Sequence, residues 1–179
     1  MIYFVDEEAT IRAKMRAVKR VCRMETTWIR NADDAVDLLC QANDIEFVFV
    51  DMMLAARMNG DQSRFSKEST KDFQLCGLSL ATELAKELGK PIHSRIAYLT
   101  QLTEAHKQHT PEITRNCSRT GIRWLKKSDY ASAQHFAEEV TPLVQPFSGD
   151  FYRQQLSIDH PVSKDLVTAD FSSGEESHD

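Results

Sequence analysis

Apolar and polar positions alternate along this chain in blocks of two kinds. Short continuous apolar or β-branched runs are separated by longer stretches whose apolar positions recur every three or four residues. Ile2-Tyr3-Phe4-Val5 is the first run and is stopped by Asp6, Glu7 and Glu8. From about Glu8 to Cys22, the spacing of Ile11, Met15, Val18 and Cys22 predicts an amphipathic helix. Thr26 to Arg30 is β-branched and aromatic, and Asn31 is placed to cap a helix in which Ala35, Leu38, Leu39 and Ala42 share a face. Phe47-Val48-Phe49-Val50 is apolar throughout, the pattern of a strand buried on both faces of a parallel sheet. Leu78 to Leu88 predicts a helix ended by Gly89, and Ile96 to Leu99 another buried strand. The polar helical stretch that follows is expected to break near Pro111. Ile122 to Leu125 reads as a fifth strand, with Ser128 as the expected cap of a helix carrying Phe136, Val140 and Val144.

Five strand–helix units in strict alternation predict a parallel sheet covered on both faces, the doubly wound α/β class, over residues 1–145. Two stretches break the rhythm. Residues 55–76 are polar and charged, and so long a connection is expected to be functional or mobile. Beyond Pro146, Phe147, Phe151, Tyr152, Leu156 and Ile158 give way to a run rich in serine and acids, so the first half is expected to pack and the last to stay disordered. Those aromatics are expected to cover an apolar patch of the domain.

Charge sharpens this division. The net charge is −5. Residues 146–179 carry all of it, with seven carboxylates against Arg153 and Lys164, while residues 1–145 are balanced. A nucleic-acid surface would need a net basic face, so direct nucleic-acid binding is not expected. The longest apolar run, Phe47 to Ala56, is broken by Asp51 and falls short of the ~20 residues of a spanning helix. Acids at positions 6–8 do not fit a signal peptide, and four scattered cysteines without a CxxC pair read as reduced thiols. The expectation is a cytoplasmic protein. The six histidines show no compact ligand spacing.

The chemistry-bearing residues stand at predicted strand ends. Asp6 and Glu7 follow the first strand, Asp51 follows the third, Thr100 closes the fourth and Lys127 the fifth. Ligand crevices of open α/β sheets lie beyond the carboxyl ends of strands, where strand order reverses. In a 2-1-3-4-5 order the first and third strands are neighbours, and their carboxylates converge. Converging carboxylates raise one another's pKa, a conflict that a hard divalent cation such as Mg²⁺ or an opposed lysine relieves.

The ordered set Val5-Asp6-Glu7-Glu8, Val48 to Leu54, Tyr98-Leu99-Thr100 and Trp124-Leu125-Lys126-Lys127 resembles the receiver domain of two-component response regulators over about residues 1–145. The resemblance implies a flavodoxin-like five-stranded fold of order 2-1-3-4-5. It implies Asp51 as phosphoacceptor, and Asp6, Glu7, Asp51 and the Met53 carbonyl as Mg²⁺ ligands. Thr100 would bond the phosphoryl group, Lys127 would neutralise it, and Thr100 with Trp124 would form a switch. The implied partners are a histidine kinase or phosphotransfer protein, which in such families dock near the first helix, and an output protein or a second copy. That helix is basic here, with Arg12, Lys14, Arg16, Lys19, Arg20 and Arg23, which otherwise reads as a solvated face.

This sequence departs from the pattern in several places. Gln101 stands where a small residue is usual, Ser128 where a proline is usual, and Glu7 where an aspartate is usual. The short span from Gly121 leaves Lys126 as an alternative to Lys127. The 55–76 insertion falls beside Asp51 and reads as a lid or docking element. These departures keep open a pseudo-receiver that binds partners without phosphorylation. An aspartyl phosphatase would need a second aspartate two positions after Asp51, where Met53 stands. Turnover of a separate substrate is therefore not expected.

Overall fold

The computed structural model describes residues 1–56, 63–101 and 104–145. Five parallel strands form one sheet in the order β2-β1-β3-β4-β5. They are β1 (Ile2–Val5), β2 (Thr26–Ile29), β3 (Phe47–Val50), β4 (Ile96–Thr100) and β5 (Arg123–Lys126). The helices are α1 (Ile11–Cys22), α2 (Ala32–Leu39), the single turn α3 (Lys67–Thr70), α4 (Cys76–Leu88), α5 (Thr110–Thr120) and α6 (Ala133–Val144). The flavodoxin-like architecture expected from the sequence is present.

The continuous apolar runs are the three central strands, each buried at every position. Their alternate residues feed two separate cores. Tyr3, Val5, Val48, Val50, Ile96 and Tyr98 face α2, α4 and α5. Ile2, Phe4, Phe47, Phe49, Ala97 and Leu99 face α1 and α6. In the second core Phe49 links Phe4, stacked at 4.8 Å, to Phe136, met edge-on at 5.5 Å.

Local chemistry sets the helix ends. Asn31 caps α2 as expected, its side-chain oxygen accepting the Asp34 N–H at 2.8 Å. Gly89 ends α4 at φ 86°, a left-handed value that favours glycine. Three expectations are corrected. Pro111 does not break a helix but opens α5, where its missing N–H falls among donors that lack intrahelical partners anyway. Ser128 lies in a 3-10 turn, Lys127–Asp129, so α6 starts later and is capped by Ser132, which accepts the His135 N–H at 3.1 Å. Leu38 is exposed, and the buried face of α2 is Ala32, Ala35, Val36 and Leu39.

The described part of the insertion is tied to the first turns of α2 and α5. Asp33 is buried at the start of α2 and takes hydrogen bonds from the Ser63 hydroxyl at 2.7 Å and the Arg64 N–H at 3.0 Å. Arg64 reaches Asp37 at 2.8 Å, Phe65 enters the first core, and Lys71 pairs with Glu112 of α5 at 2.6 Å. Residues 63–75 thus strap α2 to α5; residues 57–62 of the expected lid lie outside the described residues, as does the expected 146–179 extension. The strap ends with Lys71, Asp72 and Phe73 at φ 51°, 55° and 65°. Among the described residues no helix is long and apolar enough to cross a membrane.

Replacing Asp33 by Ala leaves the Ser63 and Arg64 donors without their buried acceptor. We expect a loss of about 1–3 kcal/mol in urea unfolding, with faster proteolysis at 63–66. An unchanged midpoint would show that the strap contributes nothing to stability.

Candidate functional site

Strand register builds the site. Val5 pairs with Val50, so Asp6 and Asp51 leave the sheet side by side. Thr100 pairs with Lys126, so Lys127 is the first residue past the same edge. The Lys127 ammonium lies 2.7 Å from Asp51 Oδ2 and 2.8 Å from Asp6 Oδ2. All three side chains are buried, at 9%, 7% and 3% exposure for Lys127, Asp51 and Asp6. The other carboxylate oxygens are held by backbone: Asp51 Oδ1 accepts the Met52 N–H at 2.7 Å and Asp6 Oδ1 the Glu8 N–H at 2.8 Å. Lys127, and not Lys126, therefore makes the contact. The Lys126 ammonium stands 5.8 Å from the Trp124 ring.

The charges do not balance. Burial, together with the neighbouring Asp51, pushes Asp6 up to about 6 against the opposing pull of Lys127. Burial pulls the Lys127 ammonium down, but Asp51 and Asp6 outweigh it and hold it above the usual lysine range. Two carboxylates against one ammonium leave a buried excess of negative charge. Glu8, at 4.0 Å from Lys127, adds to it at the rim. Lys14, itself lowered by burial and by Lys127, faces the group from α1.

The other expected site residues are distributed unevenly. Thr100 is buried at the end of β4. Trp124 packs against the first core, and its buried indole N–H has no partner among the described residues. Met53 follows in the loop, half-buried. Glu7 is exposed, and Glu8 is the acid that approaches Lys127. The cause is a turn in which Asp6 accepts the N–H two residues on, which directs residue 7 outward. An acid followed two positions later by a second acid was the available signal. Gln101 is exposed, and among the described residues no peptide bond is cis.

Two supporting residues escaped sequence reasoning. Gly77 in the first turn of α4 donates its N–H to the Met52 carbonyl at 3.0 Å. A Cβ there would collide with the Asp51 carbonyl oxygen and stand 3.0 Å from Met52 Cα. Trp28 donates its indole N–H to the Asp6 carbonyl at 2.6 Å, with the Arg12 and Arg30 guanidiniums 4.6 and 5.3 Å from its ring. Neither contact has a pattern local enough to read from sequence.

The oxygen chemistry of Asp6 and Asp51 and their surplus negative charge fit a hard divalent cation. Among the described residues no three His, Cys, Asp or Glu side chains are grouped to hold a metal ion, so further oxygens would come from backbone and water.

No protein-family model matches the sequence, and no curated protein matches it. Among solved structures it resembles the receiver domain of NtrX from Brucella abortus, with TM-score 0.52 and 18% identity over 81% of this chain and 98% of that one. Against the longer NtrX structure from the same organism the TM-score is 0.57 at 16% identity, covering 94% of this chain but 31% of that one. An adenylate cyclase from Rhodopirellula baltica matches with TM-score 0.51 and 14% identity over 89% of this chain and 97% of that one. The chain has the fold of response-regulator receiver domains.

Two outcomes follow from the geometry. Asp6 binds a proton more tightly when folded, so its ionisation costs stability as pH rises from about 4 to about 6. In chelator, Asp6→Asn should gain on the wild type across that interval, by about 1–3 kcal/mol at pH 7, in thermal melts. An equal difference at pH 4 and pH 7 would remove the electrostatic cause. Gly77→Ala should lose about 1–3 kcal/mol by displacing the Asp51 backbone, read from chemical unfolding.

Proposed function

We propose that this chain is a phosphoacceptor switch of the response-regulator type, dependent on Mg²⁺ and phosphorylated on Asp51. The observation that carries the reading is Lys127 held between Asp51 and Asp6 at the carboxyl edge of the receiver fold. Phosphoryl transfer needs alignment and charge neutralisation more than covalent machinery, and these residues supply both.

The Met52 N–H fixes the orientation of the Asp51 carboxylate. A bond from an Asp51 oxygen to phosphorus forms as the phosphorus–nitrogen bond of a phosphohistidine breaks; the imidazole leaves with the electron pair and takes a proton from solvent. Lys127 transfers its charge from the Asp51 carboxylate to a phosphoryl oxygen. Asp6 and Asp51, with backbone oxygen from Met53, would hold the cation, which supplies further neutralisation of the phosphoryl oxygens. Thr100, at the end of the neighbouring strand, offers its hydroxyl to the same group, and Trp124 lies on the adjoining edge strand to respond. The chain turns over no separate substrate, being limited to its own phosphorylation and dephosphorylation. The phosphodonor is a histidine kinase or phosphotransfer protein in the cytoplasm, and output goes through protein contacts, including a second copy.

One observation favours the second reading, a binding module that works without phosphorylation. Both Asp51 oxygens are already engaged, and the residue is 6% exposed.

Incubation with Mg²⁺ and acetyl phosphate or phosphoramidate, followed by intact mass measurement, separates the two. One added phosphoryl group is expected, absent from Asp51→Asn and blocked by chelator. Lys127→Ala should slow the addition by roughly 10²-fold, the scale on which removing one charge-stabilising donor acts. No addition, together with no binding of beryllofluoride, would establish the phosphorylation-independent module instead.

A further inference from the structure

On the face of the sheet opposite α1 and α6, α4 and α5 enclose an open groove. Its lower part, about 550 Å³, is lined by Ala85, Lys86, Lys90 and His93. Its upper part, about 500 Å³, runs past Leu78, Arg115 and Arg64. The two parts share Thr82 and Arg119 and form one channel along both helices.

The floor is partly apolar and the walls are basic. Glu83 is paired with Lys86 at 3.3 Å and Glu112 with Lys71 at 2.6 Å. Arg115, Arg119 and Lys90 have no ion pair among the described residues, although the domain as a whole is electrically balanced. An occupant with carboxylates and large apolar side chains would satisfy both features.

Residues 147–165 have that chemistry: Phe147, Phe151, Tyr152, Leu156 and Ile158 accompanied by three carboxylates, Asp150, Asp159 and Asp165, against Arg153 and Lys164. They also start in the right place. The last turn of α6, Pro142 and Leu143, shares a cleft of about 150 Å³ with Ser94 and Gly121. Those two residues are chain neighbours of His93 and Thr120, which line the lower end of the groove. Twelve extended residues reach ~40 Å, whereas α4, with 13 residues, is only ~20 Å long. The rival basic surface is α1. There Lys19 is paired with Glu25, Arg12 and Lys14 lie over the Trp28 and Phe136 rings, and Arg20 donates to Gln134, while Arg16 and Arg23 have no ion pair among the described residues.

The geometry points to residues 147–165 as an intramolecular strap that docks in the α4–α5 groove, its acids on Lys90, Arg119 and Arg115 and its aromatics against Ala85 and the stems of the basic side chains. This occupant goes beyond the phosphoacceptor reading and does not depend on it.

Carbodiimide cross-linking of the full chain tests it, since the reagent joins a carboxylate to an amine with loss of water. Monomer isolated after reaction should contain links from Lys86 or Lys90 to Asp150, Asp159 or Asp165. In Arg115→Glu/Arg119→Glu these links should fall roughly tenfold, about 1.4 kcal/mol of docking, with circular dichroism unchanged. As a second arm that leaves the domain untouched, Asp150→Lys/Asp159→Lys should speed amide exchange in α5 and the last turn of α4. Links to Lys14 or Lys19 would place the segment on α1 and overturn the proposal. Links found only in dimers, which would make a second copy the occupant, or unchanged exchange in the second arm, would overturn it as well.

Discussion

An ammonium shared by two buried carboxylates is the interaction around which the carboxyl edge of this sheet is organised. Lys127 ties the exit of β5 to the exits of β1 and β3. Removing one partner of a buried pair costs ~3–5 kcal/mol because the other charge is left uncompensated. Here burial, with Asp51 beside it, raises the Asp6 carboxyl even against Lys127. An added positive charge at this edge would favour the ionised carboxylates.

The rest of the fold serves to present that edge. The alternation of side chains along the central strands supplies two independent cores, one clamped by α1 and α6 and the other by α2, α4 and α5. The second clamp comes so close to the site that the second residue of α4 lacks a side chain: Gly77 rests on the Asp51 backbone. Trp28 does the corresponding work from β2 by bonding the Asp6 carbonyl. Position at the carboxyl edge is thus fixed from the backbone side, through Gly77 and Trp28.

The parts legible in the sequence were those with short-range physical causes. An unbroken Phe47–Val50 run can only be a strand covered on both sides, and the acid after it must then surface at the ligand edge. Asn31 and Gly89 act within one helical turn, so their roles are legible locally. Errors arose where the deciding partner is remote or the turn is subtle. Leu38 has helical spacing with the core but projects to solvent. Pro111 opens a helix instead of breaking one, because its effect depends on where the helix starts, which the local pattern does not show. That Glu7 is exposed while Glu8 approaches Lys127 follows from one side-chain-to-backbone hydrogen bond that the sequence does not display. The described start of the insertion is held by Asp33, a buried acid thirty positions upstream, a pairing too remote to be legible in the sequence.

That strap closes with three successive left-handed residues, none of them glycine. Each such residue costs ~1–2 kcal/mol relative to ordinary backbone, and the run is held by the Asp33 bonds, Phe65 and the Thr70 hydroxyl that accepts the Phe73 N–H at 3.1 Å. Strain of this kind lowers the cost of local opening, so the segment between α2 and α5 is expected to open at lower free energy than the sheet beneath it.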